Sequence, residues 1–143
     1  MKVKIKKVSD LAIVPEYKTE GAAGCDLHSI EEVVIKPNST VLIKTGLQFE
    51  IPEGFFMLLA PRSSLVMKNN LDMPNSIGII DSDYRGEVLI ALRNLGMENV
   101  IIEKGERIAQ LLIMSSNKAE FELVENLNES LRGSSGFGST GKF

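Results

Sequence analysis

Short apolar runs, separated by turns that contain glycine or proline, make up most of this chain and are typical of β-strands. Residues 2–8 alternate polar and apolar side chains with Val3 and Ile5 on one face, which predicts a half-buried strand. We expect the strands between residues 32 and 60 to form an antiparallel meander in an all-β fold. The further strands are predicted at 32–35, 40–45, 47–51, 55–60, 77–80, 88–92, 100–102, 108–114 and 119–124.

The run IAQLLIM at 108–114 is nearly uninterrupted and has one polar member, Gln110. A strand that is apolar on both faces must be covered on both faces. In so small an all-β chain, we expect the second cover to come from another subunit. One short helical turn, capped by a serine, is predicted at 65–69.

The stretch 75–87, NSIGIIDSDYRGE, brings carboxylates, an aromatic ring and glycine closer together than any other part of the chain. The flanking predicted strands place Asp81, Tyr84 and Arg85 on a hairpin turn, which is a rigid mounting for a base, a ring and a cation. A calcium loop is excluded, because Arg85 and Leu92 stand where that motif needs oxygen ligands. Ordinary turn chemistry and a surface pair between Asp81 and Arg85 remain alternatives.

Composition narrows the class of protein. The 143 residues fit one domain, and a net charge of −3 argues against broad binding to nucleic acid or anionic membranes. A single cysteine excludes an internal disulfide, and Cys25 with the single His28 cannot form a closed zinc site. The N-terminus does not resemble a signal peptide, and no apolar run reaches membrane-spanning length. We therefore expect a soluble, cytoplasmic protein.

Two further polar segments are candidates for ligand binding. Small residues surround Asp26 in EGAAGCDLHS at 20–29, which allows close backbone approach and presents one carboxylate. The sequence Arg62-Ser63-Ser64 precedes the predicted helical turn and offers a guanidinium and two hydroxyls to an anion. A small-residue turn with a solvated Asp26, and a plain helix cap with a surface Arg62, remain the alternative interpretations.

The C-terminal sequence RGSSGFGSTGKF, from Arg132 onward, has no hydrophobic periodicity and is expected to be mobile without a ligand. Phe137 lies between glycines and is suited to stacking on a flat ligand, while Arg132 supplies a cation. A disordered end without a role is the alternative. The segment from Gly136 to Lys142 nearly matches a phosphate-binding P-loop, but the residue after it is Phe143, so we discard that match.

Together these residues fit a nucleoside triphosphate, which needs cations and hydroxyls for its phosphates, a carboxylate near a metal ion, and a strand edge and a ring for its base. Five segments, in order, resemble the five motifs of the trimeric deoxyuridine triphosphatases (dUTPases). They are AGCDL (23–27), PRSS (61–64), NSIGIIDSDYRG (75–86), GERIAQL (105–111) and RGSSGFGSTG (132–141). The resemblance covers the chain from end to end, and Ser135 departs from it, because the family usually has a glycine there.

The resemblance implies an all-β, distorted jelly roll of the β-clip type that assembles as a homotrimer, with three active sites each built from all three subunits. It also implies a β domain at 1–131 and a mobile arm at 132–143 that closes over the active site. The implied reaction is hydrolysis of dUTP to dUMP and pyrophosphate with Mg²⁺. That reaction keeps uracil out of DNA and supplies dUMP for thymidylate synthesis.

The same resemblance implies a role for each candidate residue. Asp81 is expected to orient and deprotonate the attacking water, and Asp26 to hold waters of the magnesium ion. Asn75 and the backbone near Gly78 are expected to read uracil, while Tyr84 packs against the deoxyribose. The residues expected at the phosphates or on the closing arm are Arg62, Ser63, Ser64, Gln110, Arg107 as a brace, Arg132 on the terminal phosphate, Phe137 over the uracil, Gly138 and Ser139.

Two rival functions remain open. A dCTP deaminase of the same fold would need a glutamate acid/base in the pocket, whereas this chain offers Asp81 in the position that the hydrolases use. A zinc-type deaminase is excluded because its zinc site needs more cysteines than the single Cys25 of this chain. A non-catalytic trimer that binds dUTP as a signal or serves as a scaffold would retain binding without turnover.

Overall fold

The computed structural model describes residues 1–134, and strands dominate their regular structure. In chain order the elements are β1 (Lys4–Lys7), β2 (Cys25–His28), β3 (Val33–Ile35), β4 (Thr40–Glu50), β5 (Phe55–Ala60), α1 (Ser63–Asn69), β6 (Leu71–Asp72), β7 (Gly78–Ile80), β8 (Glu87–Asn94), β9 (Val100–Ile102) and β10 (Arg107–Ser115). Within the described part, no helix has both the length and the apolar character needed to cross a bilayer.

The strands form two four-stranded sheets and one two-stranded ribbon, and every pairing in the described chain is antiparallel. The first sheet has the order β1-β4-β8-β6, the second has the order β2-β10-β5-β7, and the ribbon joins β3 to β9. Residues from both sheets belong to one hydrophobic cluster. This arrangement agrees with the expected all-β jelly-roll fold.

The hydrophobic core draws on alternate residues of the long strands. Ile43 and Leu47 on β4 and Ile90 on β8 have no exposed surface, and neither do Met57 on β5 and Ile108 on β10. Burial of one such side chain stabilises the fold by about 1.5–3 kcal/mol. Because side chains alternate across a strand, burial of these residues fixes which residues of the same strands face outward.

The hairpin predicted at 75–87 does not form. β7 pairs with β5 in the second sheet, whereas β8 pairs with β4 and β6 in the first sheet. The loop 81–86 therefore connects the two sheets instead of closing a hairpin. An apolar run indicates that a segment is a strand, but it does not specify the strand with which it pairs.

The predicted meander between residues 32 and 60 is also wrong. The two strands predicted at 40–45 and 47–51 are one strand, β4, which continues through Gly46 with a positive φ of 69° and a shift in its register with β8. β3 pairs with β9, and β5 pairs with β10 and β7, so neither pairs with β4. A glycine that accommodates a bulge looks, in sequence, like a glycine that ends a strand.

The first and last predicted strands differ from expectation. β1 is only four residues long and all four are exposed, although Val3 just before it packs against the core. The segment 119–124 is not a strand, and residues 116–134 contain neither strand nor helix. Phe121 and Leu123 lie almost fully exposed there. Alternating apolar residues enable a segment to pair, but a strand forms only where a partner is present.

Candidate active site

Asp26 and Gln110 lie side by side on the outer face of the second sheet. Asp26 on β2 is paired with Gln110 on β10, which is paired in turn with Ala60 on β5. Directly opposed residues on antiparallel strands share a face. The adjacent residues Cys25 and Leu111 are paired on the inner face, where both are buried. Local alternation therefore directs Asp26 and Gln110 away from the core.

Asp26 is held by two guanidinium groups. Nε of Arg62 lies 2.9 Å from Oδ1 of Asp26, and Nη1 of Arg107 lies 3.3 Å from Oδ2. The first contact is an ion pair without the linear geometry of a hydrogen bond, since Nε has no hydrogen-bond partner. The Asp26 side chain is 12% exposed, so the alternative of a solvated turn aspartate is wrong. Two cations share one carboxylate, and we call Asp26, Arg62 and Arg107 the Asp26 cluster.

His28 lies beside the Asp26 cluster, where the sequence alone predicts no role for it. Burial lowers the pKa of His28 from its ordinary value of 6.5, Asp26 acts in the opposite direction, and the nearby cations reinforce the decrease. Its Nδ1 atom is buried without a hydrogen-bond partner. The residues Lys18, His28, Arg62, Gly105, Glu106 and Arg107 line a cavity of about 480 Å³. The one indication in the sequence is that His28 lies two residues after Asp26, which puts both side chains on the same face of a strand.

Ser63 and Ser64 form the first turn of α1 and do not cap it. The N-cap residue is Arg62, which has an extended backbone and makes no side-chain capping hydrogen bond. The serine cap predicted from sequence is therefore wrong, because the helix begins two residues earlier than expected. Leu65 is buried and anchors the helix to the core. The structure thus places both serines next to the Asp26 cluster along the chain.

The loop 81–86 holds Asp81 and Tyr84 at the far end of β7. The backbone nitrogen of Tyr84 donates to the carbonyl oxygen of Asp81 at 3.2 Å, which closes a turn. Nη1 of Arg85 donates to the carbonyl oxygens of Ser82 and Tyr84, at 2.7 and 2.9 Å. Arg85 therefore braces the loop backbone, and no ion pair with Asp81 is found among the described residues. Asp81 itself is exposed.

Gly78 is the first residue of β7, the last strand of the second sheet, and Asn75 precedes it by three residues. Gly78 pairs with Leu59, and a Cβ atom on Gly78 would lie 2.9 Å from Cδ1 of that leucine. Gly78 is therefore required for packing on its inner side and can offer only backbone to a ligand. Asn75 is exposed and precedes Ser76, which has a positive φ of 61°.

Asp26 and Asp81 of one chain lie far apart. Three strand spacings separate β2 from β7. Asp26 lies level with Ala60 of β5, through Gln110. Extending the register of β7 by one residue places Asp81 level with Phe56 of β5. With about 4.8 Å between strands and about 3.3 Å per residue, the separation is roughly 20 Å. The structure therefore brings Asp26, Arg62, Arg107 and Gln110 together but leaves Asp81 and Tyr84 apart from them.

The remaining predicted site residues belong to the C-terminal segment. Arg132 lies in a turn at 131–134. Phe137, Gly138 and Ser139, together with Ser135, lie outside the described residues, and their predicted roles stay predictions.

Comparisons with known proteins identify one family. The family model described as dUTPase matches residues 10–141. The deoxyuridine 5'-triphosphate nucleotidohydrolase of Nautilia profundicola is 51% identical over 142 residues, with 99% of this chain and 100% of the relative covered. The enzyme of the same name from Helicobacter pylori strain Shi470 is 45% identical over 141 residues, covering 99% and 97%.

Solved structures agree with this result. The Staphylococcus bacteriophage 80alpha dUTPase with dUPNHPP superposes with a TM-score of 0.87 at 33% identity, covering 98% of each chain. A mutant dUTPase from phage phi11 of S. aureus, described as revealing the coordination of a structural Mg(II) ion, superposes with a TM-score of 0.83 at 27% identity, covering 88% of this chain and 98% of the other.

Proposed function

The chain belongs to the dUTPase family, and from this premise we propose that it hydrolyses dUTP to dUMP and pyrophosphate in active sites shared between copies of a homotrimer. The family relationship that five motifs predicted is confirmed. The reaction lowers the dUTP available for incorporation into DNA and supplies dUMP for thymidylate synthesis. We also propose that the enzyme acts in the cytoplasm.

The observation that carries the shared site is the separation of roughly 20 Å between Asp26 and Asp81, derived from strand spacing and register. The water that Asp81 activates must attack a phosphorus atom of the phosphates held beside Asp26. Proton transfer needs contacts of about 2.6–3.2 Å, or one intervening water. One chain cannot satisfy both requirements, whereas Asp81 of one copy beside Asp26 of another can.

The outer face of the second sheet offers a surface for this association. Leu112 on β10 is paired with Leu58 on β5, which is paired with Ile79 on β7. This apolar row lies on the same face as Asp26 and Gln110, because residues two apart on a strand share a face. Ile79 is 60% exposed in the isolated chain. A copy seated on this row lies next to the Asp26 cluster and supports the proposed trimer.

The Asp26 cluster suits the phosphates of the substrate. Its two guanidinium groups and one carboxylate carry a net positive charge, and Ser63, Ser64 and Gln110 lie nearby on α1 and β10. Guanidinium groups bind phosphate oxygens with paired, charge-assisted hydrogen bonds. We propose that these residues hold the triphosphate. Arg132 is proposed to hold the terminal phosphate from the C-terminal arm.

The donor set fits a magnesium ion that arrives with the nucleotide. No group of three or more His, Cys, Asp or Glu side chains in residues 1–134 could enclose a metal ion. Magnesium commonly retains several waters and binds through one or two carboxylates together with substrate phosphates, and the single Asp26 carboxylate matches that pattern. When bound, the ion supplies positive charge that offsets the charge of the phosphates. Asp26 is proposed to hold it through water.

Asp81 and Tyr84 are proposed to act at the other end of the nucleotide. Asp81 orients the attacking water and removes its proton, a contribution typically worth about 10² to 10⁴ in rate. Tyr84 packs against the deoxyribose and leaves no room for a 2′-hydroxyl. Both residues are sufficiently exposed in the loop 81–86 to meet a ligand.

The open edge of β7 is proposed to read the base. β7 is last in its sheet, so its outer backbone groups are not used by pairing within the described sheet. Asn75 precedes this edge, and Gly78 lies on it. Cytosine presents a donor where uracil presents an acceptor, and such a mismatch leaves buried groups unpaired at a cost of roughly 10⁴ to 10⁵ in specificity.

The segment 132–143 is proposed to close over the bound nucleotide. Arg132 begins it, Phe137 would stack on uracil, and Gly138 and Ser139 would line the closed site. Closure excludes bulk water from the reacting phosphates. Ser135, in place of the usual glycine, restricts the backbone more than glycine does.

Pyrophosphate release from dUTP, dCTP, dTTP and UTP, each with magnesium and with chelator, tests the proposed function. We expect rapid, magnesium-dependent release from dUTP alone. Ammonia release from dCTP would instead support a deaminase. Retained dUTP binding with no release from any of the four nucleotides would support a sensor or scaffold.

A further inference from the structure

Tyr84 folds back over Gly86, two residues further along the same loop. Its phenol oxygen donates to the carbonyl oxygen of Glu87 at 3.2 Å. The side chain remains 45% exposed. One part of the ring is therefore fixed against the loop, while another part is open to a ligand.

Gly86 provides the space for this ring position. A Cβ atom on Gly86 would lie 2.2 Å from Oη, 2.4 Å from Cζ and 3.0 Å from Cε2 of Tyr84. Non-bonded carbon atoms attract at about 3.5–4.0 Å and repel strongly at such short separations. The backbone of Gly86 does not have the positive φ that favours glycine. The requirement for glycine is therefore one of space and not of backbone conformation.

We propose that Gly86 is a positioning residue that holds the ring of Tyr84 where the ring excludes ribonucleotides. The proposal rests on the proposed function, in which Tyr84 packs against the deoxyribose. A methyl group at position 86 overlaps the far end of the Tyr84 side chain, which is its most movable part. The ring then leaves its present rotamer, because rotation about its side-chain bonds is easier than displacement of β8.

Exclusion of a ribose 2′-hydroxyl by close contact depends on the position of the Tyr84 ring. A displacement of about 1 Å can change a rate by about 10²-fold where geometry is decisive. The base is proposed to be read by a different element, the open edge of β7, whereas the three atoms nearest a Cβ atom on Gly86 all belong to Tyr84. Movement of the Tyr84 ring therefore changes selectivity for the sugar and leaves selectivity for the base.

The Gly86→Ala variant tests the proposal through ratios of kcat/KM measured on one preparation. We expect the preference for dUTP over UTP to fall at least about tenfold. The preference for dUTP over dCTP should stay within about threefold. These ratios do not depend on the fraction of folded enzyme, so a general loss of stability cannot produce the difference. Gly21→Ala is the matched control, because a Cβ atom there meets nothing within 4 Å.

Two further variants show whether Gly86 acts through the ring. We expect Tyr84→Ala and the double variant Tyr84→Ala/Gly86→Ala to have the same preference for dUTP over UTP. An unchanged preference in Gly86→Ala, or a further fall in the double variant, would overturn the proposal. If Gly86→Ala does not fold, a folded double variant supports the contact and an unfolded one contradicts it.

Failure of the proposed function is distinguishable from failure of this proposal. If the unmodified chain does not hydrolyse dUTP, the hydrolase function is wrong. Relative affinities of the same variants for non-hydrolysable analogues of dUTP and UTP then decide the role of Gly86. Equal relative affinities in the unmodified chain and in Gly86→Ala would overturn it.

Discussion

Asp81 and Asp83 are two exposed carboxylates in one loop, and only Asp81 is placed in the proposed mechanism. Asp81→Asn keeps the size of the side chain and removes its basicity. We expect affinity for dUTP within a few-fold and turnover lower by at least about 10². Single-turnover kinetics and equilibrium binding measure the two quantities, with Asp83→Asn as the control. Turnover equal to that of the unmodified chain would remove Asp81 from the mechanism.

His28, beside the Asp26 cluster, makes the stability of the folded protein depend on pH. Because burial lowers its pKa below the ordinary 6.5, the unfolded chain binds more protons than the folded protein as the pH falls below 7. The stability that neutral His28 provides is present above pH 6.5 and is lost as the pH falls through the lowered pKa. We expect the thermal unfolding midpoint to decrease from pH 7 to pH 5, and to decrease less in His28→Asn. Parallel profiles for the two proteins would contradict this assignment.

At the scale of the elements, β4 continues as one strand through Gly46, where its register with β8 shifts. The φ of Gly46 is +69°, and a Cβ atom there would lie 2.8 Å from Cβ of Ala12 and 3.1 Å from Cβ of Ser9. Gly46→Ala therefore combines left-handed backbone strain with overpacking, and we expect a loss of about 2–4 kcal/mol in unfolding free energy.

Gly54→Ala separates the two causes in the Gly46 prediction. Gly54 also has a positive φ, +81°, but a Cβ atom there meets nothing within 4 Å. Only the backbone cost of about 1–2 kcal/mol is expected. Denaturant unfolding of both variants measures the difference. Equal losses would show that packing against Ala12 contributes nothing.

The sequence located most elements but not their pairing. Apolar runs identified β5, β8 and β10 because a buried strand leaves a direct pattern in sequence. The partners of β7 and β8 depend on contacts across the whole domain, which a local pattern does not contain. The short β6 has only two residues, too few for any pattern, and it was not predicted.

The residues of the candidate site could likewise be predicted from sequence, but most of their contacts could not. Asp26 and Gln110 could be identified because each is a lone polar side chain among small or apolar residues. Arg62 could be identified because it stands with two serines before a predicted helical turn. The ion pairs of Asp26 with Arg62 and Arg107 could not, since they join residues far apart in sequence. Motif order identified the family, while the meeting of β2, β10 and α1 determines which side chains touch.

At the scale of the whole molecule, the proposed trimer depends on the outer face of the second sheet. Ile79 on this sheet and Leu42 on the first sheet are similarly exposed, at 60% and 63%. If the row containing Ile79 is covered by another copy, Ile79→Asp buries an unpaired charge, which is costly, whereas Leu42→Asp leaves the charge in water. We expect light scattering to show trimers for Leu42→Asp and monomers for Ile79→Asp. Because Asp26 and Asp81 are proposed to come from different copies, we expect kcat/KM for dUTP to fall at least about 10²-fold when the trimer is lost. A monomeric Ile79→Asp variant of full activity would show that one chain completes the site.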